Sequence, residues 1–411
     1  MVILAFGLAG IIIILGFIGQ YLFKKTGIPD ILILIILGIL LGPVFKIIDP
    51  GILTPISGVF VVLALIIILF DGGLNLNIHK VIEESPRAMV LAILEIIISV
   101  LLTTFLTFFV LRWSFLLSLL LGLTLAGTCS SVVIPLINRI NISDEIKTIL
   151  SLESAFTDAI TITLVLTLIQ FMTTEQAGIL NVAQGIVGAL SIAIVLGIIL
   201  GIVWLKIFKY ISGGEYDEII TLAVVLLFYS IAESLGGNGA IFTLFFGLVL
   251  GNGIYFSRII KMKEFTQADD IMKKFHAEIS FMITTFFFVY IGLILVVEKY
   301  MLFLYSLILS FVLLFGRYIS TKITSRGNPI LKKNLEIIRI MIPRGLATAV
   351  LSELIAMSGI PGTDNFPQIV IVVIIATIVI SGVGASIIGR KTRESTRTER
   401  KIKGTLESFN K

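Results

Sequence analysis

Charge, cysteine and histidine are all scarce in this chain. Only 14% of its 411 residues are charged and 57% are hydrophobic, whereas about 25% of residues in soluble proteins are charged. The single cysteine, Cys129, excludes an intrachain disulfide. Two histidines, His79 and His276, are too few for a histidine-rich or Cys/His metal site. The sequence therefore predicts an all-α polytopic membrane protein instead of an ordinary soluble one.

Sequence signatures of catalysis are also missing. The chain contains no H-E-x-x-H or G-x-S-x-G motif and no evident pairing of a nucleophile with histidine. We therefore predict no catalytic residue, no cofactor and no enzymatic activity. The net charge of +5 reflects basic loops at one membrane face, and it gives no reason to expect nucleic-acid binding.

Apolar stretches long enough to cross a bilayer, roughly 17–25 residues, recur along the chain. We count thirteen, of which the second is short and the fifth is interrupted, and they leave no room for a soluble domain. We therefore predict one membrane domain over residues 1–389. The predicted spans cover residues 2–23, 30–45, 55–72, 87–111, 114–138, 146–172, 182–208, 218–235, 238–257, 275–297, 300–321, 335–357 and 367–389.

The positive charges between these stretches predict the orientation. If the first loop is cytoplasmic, only three of the 31 Lys and Arg residues lie in outer loops, namely Lys46, Arg112 and Lys299. The positive-inside rule then places the N-terminus outside and the C-terminus in the cytoplasm. The basic tail, residues 390–411, is expected to be disordered or to lie along the anionic membrane face.

Thirteen spans divide into two sets of six with one span between them. Two such sets have opposite orientations, so the seventh span would join two inverted repeats, as in many secondary transporters. In such repeats, broken helices occupy matching positions. Glycine and proline interrupt the fifth span near residues 126–135 and the twelfth near residues 342–345. We therefore predict two broken helices that cross near the middle of the membrane.

The most informative stretch is SLESAFTDAI, residues 151–160 of the sixth span. Glu153, Ser154, Thr157 and Asp158 fall at helical spacing and share one face of a helix. A carboxylate near the bilayer centre costs roughly 2.5–3.5 kcal/mol, so an acid at this depth indicates a functional site. We interpret Asp158 as a carboxylate that binds a hard monovalent cation or a proton, but not both at once. Ser154, Thr157 and unwound backbone carbonyls would complete the ligand shell.

The other charges within spans are interpreted differently. Arg317 needs a partner at its depth in the eleventh span, and Glu153 is the nearest logical one, so we predict a structural ion pair. Arg344 either offsets the helix ends that meet at the broken helices or faces the cytoplasm near a helix start. Glu95 has no obvious partner in the sequence. Asp71 and Glu233 lie near helix ends, where solvated charge is ordinary.

At SLESAFTDA the chain resembles the monovalent cation/proton antiporters, in the branch of the NhaP-type and sodium/hydrogen exchangers. Members typically carry E-S-x-x-N-D-A here. Five further stretches resemble the family in the expected order, over roughly residues 5–390. They are GIPDILILIILGILLGP (27–43), ILFDGGLNLN (68–77), AESLGGNGAIFTLFFGLVLGN (232–252), FFFVYIGL (286–293) and the Arg-Gly pair at 344–345.

This resemblance implies a site and a mechanism. Asp158 would bind the cation and the proton, with Ser154 and Thr128 as further cation ligands. The Glu153–Arg317 pair would stabilise the site. Spans 1–3 and 7–10 (about 2–72 and 182–297) would form a dimerisation part. Spans 4–6 and 11–13 (about 87–172 and 300–389) would form an ion-translocating core that moves like an elevator.

The chain departs from the family pattern at two places. Thr157 stands where the family usually has Asn, and Thr128-Cys129-Ser130 stands where it has T-D-P. Related electrogenic antiporters have two adjacent acids and a Lys in the eleventh helix, whereas this chain has one acid and Arg317. Because Arg does not release its proton, one acid predicts electroneutral exchange.

Three functions remain open at this point. The first is sodium (or lithium)/proton antiport by a homodimer in the plasma membrane. The second is potassium/proton antiport by a member of the same superfamily. The third is a non-transporting membrane sensor or a channel, which the intramembrane carboxylate beside broken helices disfavours. In the first two cases the partners are the lipid bilayer, monovalent cations and protons.

Overall fold

All regular structure in the computed structural model is helical. The structure describes residues 2–26, 29–48, 54–76, 86–138, 140, 142–173, 179–211, 216–259, 270–295, 300–326 and 328–409. No strand occurs within these ranges, so the all-helical class is confirmed. Several predicted inner-loop charges, among them Lys80, Arg139, Lys261 and Lys263, lie outside the described residues.

Helices are numbered here in chain order. The first six are α1 (Val2–Thr26), α2 (Asp30–Ile39, continued by a π-helical turn at Leu40–Val44), α3 (Thr54–Asn75), α4 (Pro86–Val110), α5 (Phe115–Thr124) and α6 (Ser130–Asn138). The next six are α7 (Asp144–Thr173), α8 (Ile179–Ile211), α9 (Asp217–Ser234), α10 (Gly239–Gly251), α11 (Gly253–Ile259) and α12 (Asp270–Leu293). The last five are α13 (Tyr300–Thr324), α14 (Pro329–Lys333), α15 (Leu335–Ile340), α16 (Leu346–Met357) and α17 (Phe366–Phe409).

Every predicted apolar stretch coincides with one of these helices or with two consecutive ones. Within the described residues, 7 helices are long and apolar enough to cross a membrane. Their number and composition identify a multi-pass integral membrane protein. Shorter apolar helices lie at Gly10–Leu22, Asp30–Val44, Phe115–Thr124, Gly239–Gly251 and Leu346–Met357.

The helix pattern differs from the sequence prediction in two places. The predicted ninth span is divided into α10 and α11 at Asn252, whose side-chain amide donates to the carbonyls of Leu76 and Leu248 at 2.6 and 2.8 Å. The tail is not disordered, because α17 continues through it to Phe409. This tail contains no proline and is rich in Arg, Lys and Glu, which favour helix.

Two chain interruptions meet inside the protein. Residues 125–129 separate α5 from α6, and residues 341–345 separate α15 from α16. The Cys129 amide donates to the Pro343 carbonyl at 2.8 Å, so the two unwound stretches touch. The amides of Ile342 and Arg344 donate to hydroxyl groups on α17 at 3.3 and 3.1 Å. Backbone groups freed from helix are thus satisfied inside the protein, as a membrane interior requires.

Gly345 permits this close approach. A Cβ atom at this position would overlap Sγ of Cys129 and lie 2.7 Å from its Cβ. We therefore expect Gly345→Ala to lower the melting temperature in detergent, by an amount equivalent to about 1–3 kcal/mol of overpacking. The matched control is Gly188→Ala, because a Cβ at Gly188 in α8 meets nothing within 4 Å. Equal melting temperatures for the two variants would contradict the close contact.

Glycines also bring helix backbones together in one part of the molecule. There α3 packs on α10, α10 on α8, and α2 on α12. At each contact a glycine Cβ would lie within 3 Å of a backbone atom of the neighbouring helix, so these helices are tightly joined. The glycines concerned are Gly38, Gly73, Gly197, Gly247, Gly251 and Gly292.

The remaining long helices form a second packed group. Helix α4 packs on α5, α7 and α13, while α17 packs on α13 and α16. Contacts between the two groups run mainly from α16 to α3 and from α7 to α8. In the described residues, the two inter-group glycine contacts involve side-chain atoms: Gly58 faces the tip of Met357, and Gly382 faces the ring of Pro29.

Candidate functional site

The polar face of α7 points into the protein. Glu153, Ser154 and Thr157 are fully buried, and they face α6 and the unwound residues 125–129. Asp144 and Glu145 occupy the first turn of α7, where the exposed amides of a helix favour negative charge. The polar stripe that the sequence predicts therefore avoids lipid.

Asp158 lies where α7 meets the start of α6. Its Oδ2 atom accepts hydrogen bonds from the backbone N and the Oγ of Ser130, at 3.4 and 3.2 Å. Ser130 is the first residue of α6, so the positive end of a helix dipole adjoins the carboxylate. Among the described residues, no Lys, Arg or His nitrogen forms an ion pair with Asp158.

A cavity of about 430 Å³ adjoins Asp158. Its walls come from α3, α6, α7, α12 and the first residues of α16. Asn75, the last residue of α3, lines the cavity and is exposed. The cavity therefore connects Asp158 with the end of the molecule at which α3 ends. Its polar lining includes Asp71, Asn75, Ser130, Ser131, Ser280 and Thr284.

Thr157 and Thr128 join α7 to the unwound stretch. Their hydroxyl oxygens lie 3.1 Å apart, and the Thr128 amide donates to Oγ1 of Thr157 at 3.1 Å. The Thr128 hydroxyl also donates to Oε1 of Glu153 at 3.4 Å. The structure thus brings Thr128, Thr157 and Glu153 together close to Asp158, which directly follows Thr157 in α7.

Ser154 does not contact Asp158 in this structure. Its hydroxyl donates to the Ser151 carbonyl of the same helix at 3.0 Å, and its side chain is fully buried. Of the hydroxyl groups near the site, it is Ser130 that bonds to Asp158, and sequence reasoning did not select this residue. Its position at the restart of a broken helix, where free amides gather, was the available signal.

Glu153 and Arg317 form a bidentate ion pair. Nη1 and Nη2 of Arg317 lie 2.8 and 2.9 Å from the two carboxylate oxygens, and both residues are fully buried. Arg317 also donates from Nε to the Ile338 carbonyl at 2.9 Å. The arginine in α13 therefore has the partner that the sequence predicts, with parallel bonds that make such pairs strong.

Glu95 lies close to the Glu153–Arg317 pair and to Arg344. The carboxylate lies 3.6 Å from Arg317 and 3.7 Å from Arg344. It also accepts hydrogen bonds from the hydroxyls of Ser99 and Ser320, at 3.1 and 2.6 Å. The sequence offered Glu95 no partner because both arginines lie in distant parts of the chain.

Arg344 is completely buried within the second interruption, which excludes the alternative that it faces the cytoplasm. Its Nη1 donates to the Gly127 carbonyl at 2.9 Å. This carbonyl belongs to the unwound stretch that follows α5, where helix C-termini carry partial negative charge. The guanidinium is therefore placed to offset that charge.

Charges in this region balance except at Asp158. Glu95 and Glu153 carry two negative charges, and Arg317 and Arg344 carry two positive charges. All four residues are 0% exposed and are connected by contacts of 2.8 to 3.7 Å. The cluster of Glu95, Glu153, Arg317 and Arg344, called the neutral cluster below, needs no further ion. Asp158 stands outside these ion pairs, so its charge remains available.

The sequence of this chain matches that of a known protein family. A family model described as "Sodium/hydrogen exchanger, transmembrane" matches residues 10–391. The chain belongs to the sodium/hydrogen exchanger family.

Two curated relatives of this exchanger come from Methanocaldococcus jannaschii. Na(+)/H(+) antiporter 1 is 24% identical over 306 residues, which cover 70% of this chain and 68% of the relative. Probable Na(+)/H(+) antiporter 2 is 28% identical over 371 residues, which cover 86% of this chain and 85% of the relative. The solved structure of the sodium proton antiporter MjNhaP1 at pH 8, from the same organism, matches with a TM-score of 0.79. At 22% identity, that match covers 95% of this chain and 98% of the other and shows a shared fold.

The two departures from the family pattern have structural counterparts in this exchanger. Thr157, which replaces the usual Asn, bonds to both the amide and the hydroxyl of Thr128, so a hydroxyl makes the tie to the unwound stretch. Ser130, which occupies the last position of the T-D-P pattern, bonds to Asp158.

Two further acidic residues, Asp71 and Glu233, have different surroundings. Asp71 is half-buried in the wall of the Asp158 cavity and accepts a hydrogen bond from Asn75 at 2.9 Å, so it is not an ordinary solvated charge. Glu233 accepts from the Gly239 amide at 2.7 Å and so caps the start of α10. Among the described residues, no group of three or more His, Cys, Asp or Glu is placed to hold a metal ion.

Proposed function

We propose that this exchanger moves sodium or lithium in one direction and protons in the other, with both ions using Asp158. The observation that carries this proposal is that Asp158 adjoins a cavity with several hydroxyl, amide and carboxyl groups in its wall, while the neighbouring Glu95 and Glu153 are paired with arginines. A bound cation and a bound proton each neutralise the carboxylate, so one excludes the other. This competition couples the two fluxes.

We further propose which groups surround the cation. Asp158 and Ser130 are already in contact, and both offer oxygen ligands, which hard monovalent cations prefer. Ser154, Thr128 and Thr157 remain proposed ligands, since their hydroxyls lie within two turns of Asp158 on the same face or in the adjoining unwound stretch. The hydroxyls of Ser154 and Thr157 now donate to backbone carbonyls and would need to turn towards a bound ion.

Exchange is proposed to be electroneutral. The neutral cluster holds its arginines in ion pairs, and Arg does not release a proton. Asp71, the other carboxylate in the cavity wall, accepts a hydrogen bond from Asn75. We propose that it keeps this bond and that Asp158 alone exchanges its ion. One cation then replaces one proton. In proteoliposomes, we expect sodium to drive pH changes whose size does not depend on the membrane potential. If each transport cycle moved one net charge, a potential of 100 mV would shift the equilibrium sodium gradient by roughly fiftyfold.

The test uses purified full-length protein, a pH-sensitive dye and gradients of sodium, lithium or potassium at clamped potentials. A sodium or lithium response that is independent of potential supports the proposal. A response to potassium alone would favour potassium/proton exchange, and a steep dependence on potential would contradict a single exchangeable carboxylate. Cation flux without proton movement would indicate a channel.

The two helix groups suggest how access alternates. Glycine contacts between backbones join α2, α3, α8, α10 and α12 tightly. Towards the group that carries Asp158, the two described glycine contacts meet side-chain atoms instead. We propose that the first group belongs to the dimerisation part, about residues 2–72 and 182–297. The second group would belong to a core, about residues 87–172 and 300–389, that moves against it like an elevator. Interlocked backbones resist sliding, while apolar side chains permit it.

We propose the membrane arrangement from the sequence. The thirteen apolar stretches would all span the membrane as two inverted six-helix repeats joined by α8, with the interruptions crossing at mid-membrane. The protein would lie in the plasma membrane as a homodimer. Its N-terminus would lie outside the cell and its C-terminus in the cytoplasm. In this orientation the Asp158 cavity faces the cytoplasm, because α3 ends on that side.

A further inference from the structure

Glu353 is a buried acid that the proposed site does not use. It lies in α16 and is 6% exposed, and its Oε1 atom has no hydrogen-bond partner in the described structure. It forms no ion pair among the described residues. An ionised carboxylate buried without a partner is costly, so packing alone gives no reason for an acid here.

The position of Glu353 on α16 relates it to the Asp158 cavity. Leu346, Val350, Glu353 and Met357 recur at spacings of four, three and four residues, so they share one face of the helix. Leu346 lines the Asp158 cavity. At the other end of the stripe, the tip of Met357 faces Gly58 of α3, where an added Cβ would lie 2.7 Å from it. Glu353 thus lies between the Asp158 cavity and the contact of α16 with α3.

This contact lies towards the end of the molecule opposite to the cavity opening. The cavity opens beside Asn75, the last residue of α3. Gly58 lies near the start of the same helix, roughly 25 Å away at 1.5 Å per residue. Glu353, which is buried, therefore lies on the side of Asp158 away from the cavity opening, which is the outer side in the proposed orientation.

No basic side chain accompanies Glu353 on this side in the described helices that pack on α16. Those helices are α3, α5, α7, α12 and α17. Most titratable groups on them lie towards the end at which the cavity opens, and Tyr290 is the exception in the last turns of α12. The titratable groups on α3, α5, α7 and α12 are Asp71, Asp144, Glu145, Lys147, Glu153, Asp158, Asp270, Lys273, Lys274, His276, Glu278 and Tyr290. Those on α17 are Arg390, Lys391, Arg393, Glu394, Arg397, Glu399, Arg400, Lys401, Lys403 and Glu407.

We propose that Glu353 is a second carboxylate of the transport route, which binds protons or monovalent cations at the outer face. This inference rests on the proposed antiport at Asp158. When α16 moves relative to α3, the Met357–Gly58 contact opens and Glu353 meets outer water. It then loses its proton and attracts a cation towards Asp158 along the shared face of α16. Before the contact closes again, the carboxylate takes a proton back from the same outer water. Its burial is then tolerated, and it adds no net proton to the exchange at Asp158.

The experiment compares the two faces of the membrane. Sodium-driven proton movement is measured in right-side-out and in everted membrane vesicles that contain the full-length protein, so that sodium reaches the outer or the cytoplasmic face. We expect Glu353→Gln to raise the apparent KM for sodium at the outer face about tenfold, because a charged cleft concentrates counter-ions by at least that factor. The KM at the cytoplasmic face should not change. Glu353→Asp, which keeps the charge, should retain most of the outer-face affinity.

Glu233→Gln is the matched control, since Glu233 caps α10 away from this route. Its KM for sodium should equal that of wild type at both the outer and the cytoplasmic face. Equal outer-face KM values for Glu353→Gln and wild type would overturn the inference alone. A parallel decline at both faces, with a lower melting temperature, would show a structural role and overturn it as well. Absence of cation-driven flux in the wild type would instead overturn the proposed antiport, and this inference with it.

A second measurement avoids dependence on the Gln variant. In Glu353→Cys, a membrane-impermeant cationic thiol reagent added to right-side-out vesicles is expected to block transport, and the same reagent added to everted vesicles is not. The parent chain, whose single thiol is the buried Cys129, controls for reaction elsewhere. Protection of the new thiol from both faces would contradict an outer route through this position.

Discussion

Asp158→Asn is expected to abolish cation-driven proton movement, a loss of at least about a hundredfold, which is the scale on which a positioned proton acceptor acts. The amide has nearly the same shape as the carboxylate and can still accept the hydrogen bonds from Ser130. It has no charge to attract a cation and no proton to exchange. The measurement is the recovery of dye fluorescence after sodium is added to proteoliposomes that hold a pH gradient.

Asp364→Asn makes the same chemical change at an exposed residue in the turn before α17, and it should transport like wild type. Sodium should also raise the melting temperature of the wild type and not that of Asp158→Asn, because a ligand that binds only the folded state stabilises it. Wild-type transport by Asp158→Asn would show that the ions bind elsewhere.

Glu153→Ala is expected to destabilise the protein by about 3–5 kcal/mol, because removing one partner of a buried pair leaves the other charge buried. Arg317 would retain Glu95 at 3.6 Å but would lose both bonds of its bidentate pair. The neutral cluster would also acquire a net positive charge one turn from Asp158. The measurement is the melting temperature and the yield of folded protein in detergent.

Glu145→Ala provides a matched control in the same helix. Its pair with Arg87 spans 3.1 Å, but the side chains of Arg87 and Glu145 are 54% and 46% exposed, so its loss should cost about 0–1 kcal/mol. The double variant with Glu153→Ala and Arg317→Met should recover part of the lost stability, since it leaves no unpaired arginine at position 317. Similar melting temperatures for Glu153→Ala and Glu145→Ala would contradict the structural role of the buried pair.

The neutral cluster and Asp158 differ in how their charges are paired. A buried charge pair of opposite sign resists titration, because removing either charge strands the other. It therefore anchors α7 and α13 without competing for the transported ions. Among the described residues, the hydrogen bonds to the Asp158 carboxylate come from the hydroxyl and the amide of Ser130. Glu95 and Glu153 are paired with arginines, whereas Asp158 is not.

Some features of this site could be predicted because they depend on local sequence. The spacing of Glu153 and Asp158 puts them on one helical face wherever the helix lies. Glycine and proline near residues 126–135 and 342–345 break helices through their own backbone chemistry. The need of Arg317 for a partner follows from the cost of an unpaired charge in a membrane.

Other features could not be predicted because they depend on distant contacts. Glu95 and Ser320 are 225 residues apart in the chain, and no periodicity relates them. Ser130 is one of several hydroxyl residues in a polar stretch, and only the angle at which α6 meets α7 selects it. Asn252 divides a helix because it reaches the Leu76 carbonyl, 176 residues away.

The amino-acid sequence alone determined the helical class, the apolar stretches, the positions of both interruptions and the acidic face of α7. Each of these follows from hydrophobicity, helical periodicity or backbone chemistry within a few residues. The tertiary structure alone decided which acids are paired and which remain free. It placed Glu95 between two arginines, left Asp158 beside a cavity and left Glu353 without a partner. Electrostatic pairing acts over a few ångströms in space, so it depends on how distant helices pack and not on their order in the chain.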